Sequence, residues 1–169
     1  MTPNYLVTGL PRCRSAWMAA LLSQPYVPCV HALDDTPWPV VYPHGLSDPT
    51  CAALRPEETL DKTDGIPVVV IMRDVNDSWK SFKAMASRGD FKVHDRALWE
   101  RWALNVKQFA LAAKNVRIAD YAELEDPYIV KDLARHVGVD LSIPYIKHMQ
   151  LLKIEQHQKC LQFVRSRSR

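Results

Sequence analysis

Two short stretches of this chain hold the residue types that bind anions. The first is GLPRCRSAW, residues 9–17, which follows the apolar run Tyr5 to Thr8 and leads into a helical pattern from Ser15 to Ser23. A strand, a tight loop and a helix in that order turn backbone N–H groups and a helix N-terminus toward one point. Negative charge is stabilised there, and Arg12, Arg14 and the Ser15 hydroxyl add to the effect. The loop is a phosphate cradle by chemistry but not a Walker A loop. Counting GxxxxGK[ST] from Gly9, the second glycine falls on Arg14 and the lysine on Ser15, which removes support for ordinary ATP or GTP hydrolysis. The second stretch is VVVIMRDVNDSWKSF, with Arg73 at a strand end, Asp77 four residues on and Ser81 eight on. A guanidinium fork takes a dianionic phosphate bidentately, and a hydroxyl from the next helix completes the shell. Taken alone, Arg73 reads first as a partner for Asp74 or Asp77, with Ser81 a plain helix residue. Two arginines at the ends of two strands, where open parallel sheets bind ligands, favour the anion reading.

Positioning these residues requires alternating strands and helices. Ile66 to Met72 (IPVVVIM) is nearly continuous and β-branched, as expected of a strand buried on both faces of a parallel sheet. A helix follows from about Asn76 to Ser87, with Trp79, Phe82 and Ala86 on one face. Leu98, Trp99, Trp102, Val106, Phe109 and Ala113 fall at helical spacing and describe a long amphipathic helix whose tryptophans belong to the core. Val116 to Ala119 is a further short strand; Asp126-Pro127 then supplies a cap and first-turn proline for a helix closed by Gly138. More helix is expected from Ile143 to Phe163. Residues 25–67 hold eight of the twelve prolines. That stretch is expected to be mostly loop, with a short strand at Cys29-Val30-His31, and a long loop in a compact domain is often functional. The expected fold is a single α/β domain over residues 1–164, a three-layer sandwich with a mainly parallel sheet, with 25–66 as a proline-rich loop region and 165–169 as a frayed basic tail.

Composition closes other routes. With 169 residues, 47% hydrophobic and 24% charged, the chain is an ordinary globular one rather than disordered or fibrous. A net charge of +3 permits an anionic ligand but not a broad nucleic-acid footprint. No apolar run approaches the roughly 18 residues of a membrane span, and MTPNYLVTGLPR is not built like a signal peptide, so a soluble cytoplasmic protein without a membrane partner is expected. Cys13, Cys29, Cys51 and Cys160 lie far apart without a C-x-x-C pair, and no metal-ligand set is evident. A helix N-terminus and two arginines around Cys13 would lower the pKa of its thiol, which leaves a redox role open.

Pro11, Arg12, Cys13, Arg14, Ser15, Ala16 and Trp17 resemble the 5'-phosphosulfate loop of sulfotransferases, whose pattern is approximately Pro-Lys/Arg-Ser/Thr-Gly-Thr/Ser-x-Trp. Arg14 stands at the usual glycine, as in some small bacterial and phage members, and Cys13 stands where a hydroxyl is common. Arg73 and Ser81 resemble the family's 3'-phosphate site, although Asp74-Val75 replaces its proline. VRIADYAELEDPYIVKDLARHVGV, residues 116–139, resembles the stretch in which a strand ends in Tyr-Glu-Asp before an Asp-Pro helix, and Tyr121 matches the tyrosine near the adenine. The resemblance implies a P-loop-type α/β fold. It also implies a 3'-phosphoadenosine 5'-phosphosulfate donor without a metal, and transfer of a sulfuryl group to a hydroxyl or amine. Arg12 then stabilises the leaving phosphate, while Arg14, Ser15 and the amides from Cys13 to Trp17 hold the 5'-phosphate.

The acceptor's proton needs a base. Cytosolic members supply a histidine in Lys-Thr-His; here Asp61-Lys62-Thr63-Asp64 puts Asp64 at that place. His31 at the end of the short strand competes with it, with Asp34 and Asp35 close behind, and the sequence leaves the base unassigned. His44 and Asp48, the latter in a Ser47-Asp48 pair like that of small members, remain alternatives. The acceptor-binding region is much shorter than in most cytosolic members. Two other functions stay open: a nucleotide-binding module without turnover, and a P-loop phosphotransferase.

Overall fold

The computed structural model describes residues 3–23, 29–31, 45–87 and 95–152. Five strands form one all-parallel sheet: β1 (Tyr5–Gly9), β2 (Cys29–His31), β3 (Gly45–Ser47), β4 (Val68–Met72) and β5 (Val116–Asp120), in the spatial order β2-β3-β1-β4-β5. Side chains alternate across it, as a period of two requires. Tyr5, Val7, Val69 and Ile71 face a core built on α1 (Ser15–Leu22), α6 (Pro127–His136) and α7 (Ile143–Leu152). Leu6, Val68 and Val70 face the opposite core, with α2 (Cys51–Leu54), α4 (Val75–Ala86) and α5 (Arg96–Ala112). The fold is therefore the expected three-layer α/β sandwich.

The helices follow local chemistry. All eight residues of α1 are buried, because SAWMAALL carries no charged side chain and lies between the sheet and α7, where Trp17 Nε1 donates to the Met149 carbonyl at 2.9 Å. The Asp74 side chain caps α4 by accepting from the Asn76 and Asp77 amides, and Asp126 caps α6 through the Tyr128 amide at 2.8 Å. Gly138, at φ 79°, follows α6 in the left-handed conformation. Trp79, Phe82, Trp99 and Trp102 pack ring against ring between α4 and α5, with adjacent centroids 4.6 to 6.1 Å apart, which places the tryptophans in the core.

The proline-rich stretch differs from expectation. Beyond β2 it contains β3, an interior strand, together with α2 and a further helix, α3 (Pro56–Lys62). Gly45 opens β3 because the Tyr5 ring covers it: a Cβ there would lie 1.9 Å from Tyr5 Cζ. Pro56 begins α3, where a missing N–H costs nothing.

Topology gathers the strand ends of interest. β1 passes through α1 to β2 on one side, and after β3 the chain crosses to β4 on the other side of β1. In open parallel sheets such a reversal is where ligands sit, beyond the carboxyl ends of the strands. Gly9 pairs with Ile71 and Met72 with Asp120, so the segments that leave β1, β4 and β5 emerge together. Among the described residues no helix is long and apolar enough to cross a membrane.

Candidate functional site

The loop from Leu10 to Arg14 turns sharply, with Arg12 and Arg14 both left-handed at φ 73° and 66°. Such a residue costs about 1 kcal/mol or more unless it is glycine. The position at which the resembled pattern has glycine is therefore a left-handed one, occupied here by an arginine at the N-cap of α1. Gly9 approaches its surroundings closely: a Cβ would meet the Ile71 carbonyl at 2.4 Å and Cys13 Sγ at 2.9 Å. Ser78, fully buried on α4, donates to the Pro11 carbonyl at 2.6 Å and accepts from Trp99 Nε1 at 3.2 Å, tying the loop to the aromatic core. In the sequence the one signal for Ser78 is its place three residues before Ser81, on the same helix face.

Loop and β4 end form one site. Arg12 Nε donates to Ser81 Oγ at 3.1 Å and its terminal nitrogen reaches Met85 Sδ at 3.7 Å, while Arg73 donates to the Arg12 carbonyl. Neither nearby aspartate claims Arg73, since Asp74 caps α4 and Asp77 lies 3.9 Å from Lys80. The Arg73 guanidinium instead stacks over the Tyr121 ring, 4.1 Å from its centroid, and its buried Nε has no hydrogen-bond partner. Arg14 reaches the same tyrosine, with Nε 3.2 Å from Tyr121 Oη and Cζ 4.8 Å from the ring centroid, and forms an ion pair with Glu125. Burial pulls the Arg14 guanidinium toward deprotonation; Glu125 and Tyr121 more than offset that and move its pKa upward.

Ala16 and Trp17 have only backbone groups to offer the loop, since both side chains are buried. First-turn amides have no carbonyl one turn back to donate to, which suits them to an anion. Ser15, also buried, has its Oγ 3.0 Å from His31 Nε2, and Ser47 Oγ donates to the Ser15 carbonyl at 2.8 Å. His31 at the end of β2 therefore borders the cradle. Asp48 follows β3 at the same end of the sheet, but its Oδ1 accepts from the Thr50 amide, the Thr50 hydroxyl and the Cys51 amide at 2.8 to 3.0 Å. Asp64 lies at the opposite end, in a cleft with Val68, Lys114 and Asn115, where Lys114 Nζ sits 2.9 Å from its carboxylate. His44, Asp34 and Asp35, and the basic tail, fall outside the described residues.

The Cys13 thiol runs against its expected acidity. Complete burial pushes its pKa up to about 12, and the Ser15 and Cys13 amides with Arg73 and Arg12 only partly counter this. At pH 8 the thiol is then held in its protonated, unreactive form. Cys13 is expected to resist alkylation at pH 8 with or without nucleotide, as mass spectrometry of the labelled protein would read. Rapid labelling that nucleotide blocks would mean the thiol opens into the cradle. Among the described residues no group of three His, Cys, Asp or Glu side chains is arranged to hold a metal ion.

No family model matches this chain, and no curated protein matches it. Among solved structures, a sulfotransferase from Alicyclobacillus acidocaldarius is similar, with a TM-score of 0.59 at 12% identity, covering 99% of this chain and 96% of that one. The likeness is one of fold: a sulfotransferase-like α/β sandwich.

Proposed function

We propose that the protein is a sulfotransferase-like enzyme that moves a sulfuryl group from 3'-phosphoadenosine 5'-phosphosulfate to a hydroxyl or amine acceptor. The observation that carries this reading is the direct contact between two motifs far apart in sequence, Arg12 Nε on Ser81 Oγ at 3.1 Å. The residues fit such a nucleotide, because a guanidinium N–H that is buried and unpaired, as Arg73 Nε is, gains most from an arriving anion.

When bound, the nucleotide supplies the activated sulfuryl group and a phosphate leaving group. Arg12 stabilises the bridging oxygen on which charge builds as the sulfuryl group departs. The backbone from Pro11 to Trp17, including Cys13 and Ala16, holds the 5' side with Arg14 and the Ser15 hydroxyl. Arg73 and Ser81 grip the 3'-phosphate, and Tyr121 borders the adenine while supporting both guanidiniums. His31, 3.0 Å from Ser15 at the rim of the cradle, takes the acceptor's proton. The reading without turnover draws on the same contact, because a His31 nitrogen engaged with Ser15 is not presented to an acceptor.

Calorimetric titration with adenosine 3',5'-bisphosphate, beside ATP and adenosine 5'-phosphate, tests the donor site. Binding that depends on the 3'-phosphate is expected. Preference for ATP, or no binding, would sink the reading and leave only the fold likeness. A protein that binds the bisphosphate yet transfers nothing to any hydroxyl or amine acceptor would favour the binding module.

A further inference from the structure

One carboxylate reaches into this cluster of arginines. Among the described residues Arg12 and Arg73 have no ion pair, whereas Arg14 pairs with Glu125, the last residue of the 3-10 turn Tyr121–Glu125 that follows β5. That turn is well anchored. Asp120 and Glu123 close a capping box across its start, Leu124 is fully buried, and Gln150 Nε2 donates to the Leu124 carbonyl at 2.9 Å. Glu125 thus projects from a firm base, and its own side chain is 64% exposed against 19% for Arg14.

The asymmetry in exposure decides what the pair is for. A mostly buried guanidinium gains more from an anionic partner than an exposed one does, while a mostly exposed carboxylate can return to water at little cost. Arg14 sits at the N-cap of α1, where an anion is also favoured by the helix amides, and Glu125 meets it from the side without capping the helix. The αL conformation of Arg14 has the same sense: glycine would be easier there, so the side chain is present at a conformational cost.

We infer that Glu125 is an exchangeable counter-ion, an affinity-setting residue that satisfies Arg14 in the empty protein and yields it to the phosphate of the arriving ligand. The inference deepens the proposed function and rests on its placement of Arg14 at the 5'-phosphate. Because the exchange replaces one anion by another on the same guanidinium, binding is measured against an internal competitor. Removing that competitor's charge tightens binding.

Calorimetry on the full chain tests this with adenosine 3',5'-bisphosphate and, separately, inorganic pyrophosphate. Glu125→Gln keeps an oxygen acceptor for Arg14 and removes the charge, so the thermal midpoint should stay close to that of the parent. Affinity for both probes is expected to rise about three- to tenfold. The second arm repeats the substitution in an Arg14→Gly background, chosen because glycine retains the left-handed backbone, and there the gain should vanish. Unchanged or weaker binding by Glu125→Gln would make Glu125 a strut for Arg14 and overturn the inference. An equal gain without Arg14 would reduce Glu125 to general repulsion of anions and overturn it too. If neither probe binds to parent or variant, no anion competes for Arg14 and the inference falls. Pyrophosphate that tightens through Arg14 while the bisphosphate fails to bind would retain the counter-ion and remove the proposed donor.

Discussion

Arg12→Ala is expected to lower sulfuryl transfer by about a hundred- to a thousandfold, the usual effect of removing one preorganised group at a developing negative charge. Binding of adenosine 3',5'-bisphosphate, which has no bridging oxygen to a sulfuryl group, should fall much less. The split follows from the role: a residue that acts on charge present only in the transition state changes kcat more than ground-state affinity. The substitution leaves the loop backbone no more strained than before, since alanine meets the same left-handed φ of 73° with the same Cβ. What it removes is the guanidinium contact to Ser81 and Met85, both at the half-buried rim of α4. Arg12→Lys is the discriminating companion. It keeps a positive charge at a place where the resembled family often has lysine, so it should recover much of the lost rate. A demonstrated transfer that survives Arg12→Ala, or a lysine no better than alanine, would show that the charge on this side chain is not what stabilises the leaving group.

The strand ends that matter were legible because their signals are strong and local. IPVVVIM can hardly be anything but a strand buried on both faces, so the place of Arg73 at its end followed, and the helix after it put Ser81 within reach. The caps at Asp126 and Gly138 likewise mark their helix by chemistry alone. β3 was not legible. Three residues, GLS, show no period of two, and Pro43 and Pro49 on either side read as loop. Only the packing of Gly45 beneath Tyr5 and pairing on both edges make it a strand. α2 and α3 were hidden in the same way by their prolines, although Pro56 at a helix start was a signal for α3. In the site, the left-handed position of Arg14 could be suspected from the glycine of the resembled pattern, but not the reach of its side chain to Glu125 in the turn after β5. That contact depends on β5 lying beside β4, a fact of sheet order that no local pattern carries. The acidity expected of Cys13 failed for a related reason: sequence shows the neighbouring arginines, while the complete burial that outweighs them is a property of packing.

Arg73→Ala is expected to erase the preference for a 3'-phosphorylated adenine nucleotide. Truncating one partner of a desolvated, hydrogen-bonded charge pair costs about 2–5 kcal/mol, thirtyfold or more in affinity. Adenosine 5'-phosphate should lose little by comparison, because it offers nothing to the β4 end of the site. The ratio of the two affinities is the quantity to follow, since it cancels any general loosening of the loop. Such loosening is foreseeable, as Arg73 also donates to the Arg12 carbonyl and stacks on Tyr121. Arg73→Lys should fall between parent and alanine, because an ammonium keeps the charge but cannot make the fork, and the orphaned Nε shows where the fork has a donor to spare. Ser81→Ala, which removes one neutral hydroxyl, should cost roughly 1 kcal/mol in the same ratio. Equal weakening of both nucleotides by Arg73→Ala would place this arginine in the scaffold of the loop. The 3'-phosphate would then need a different residue, and the nucleotide selectivity on which the donor assignment stands would lose its structural basis.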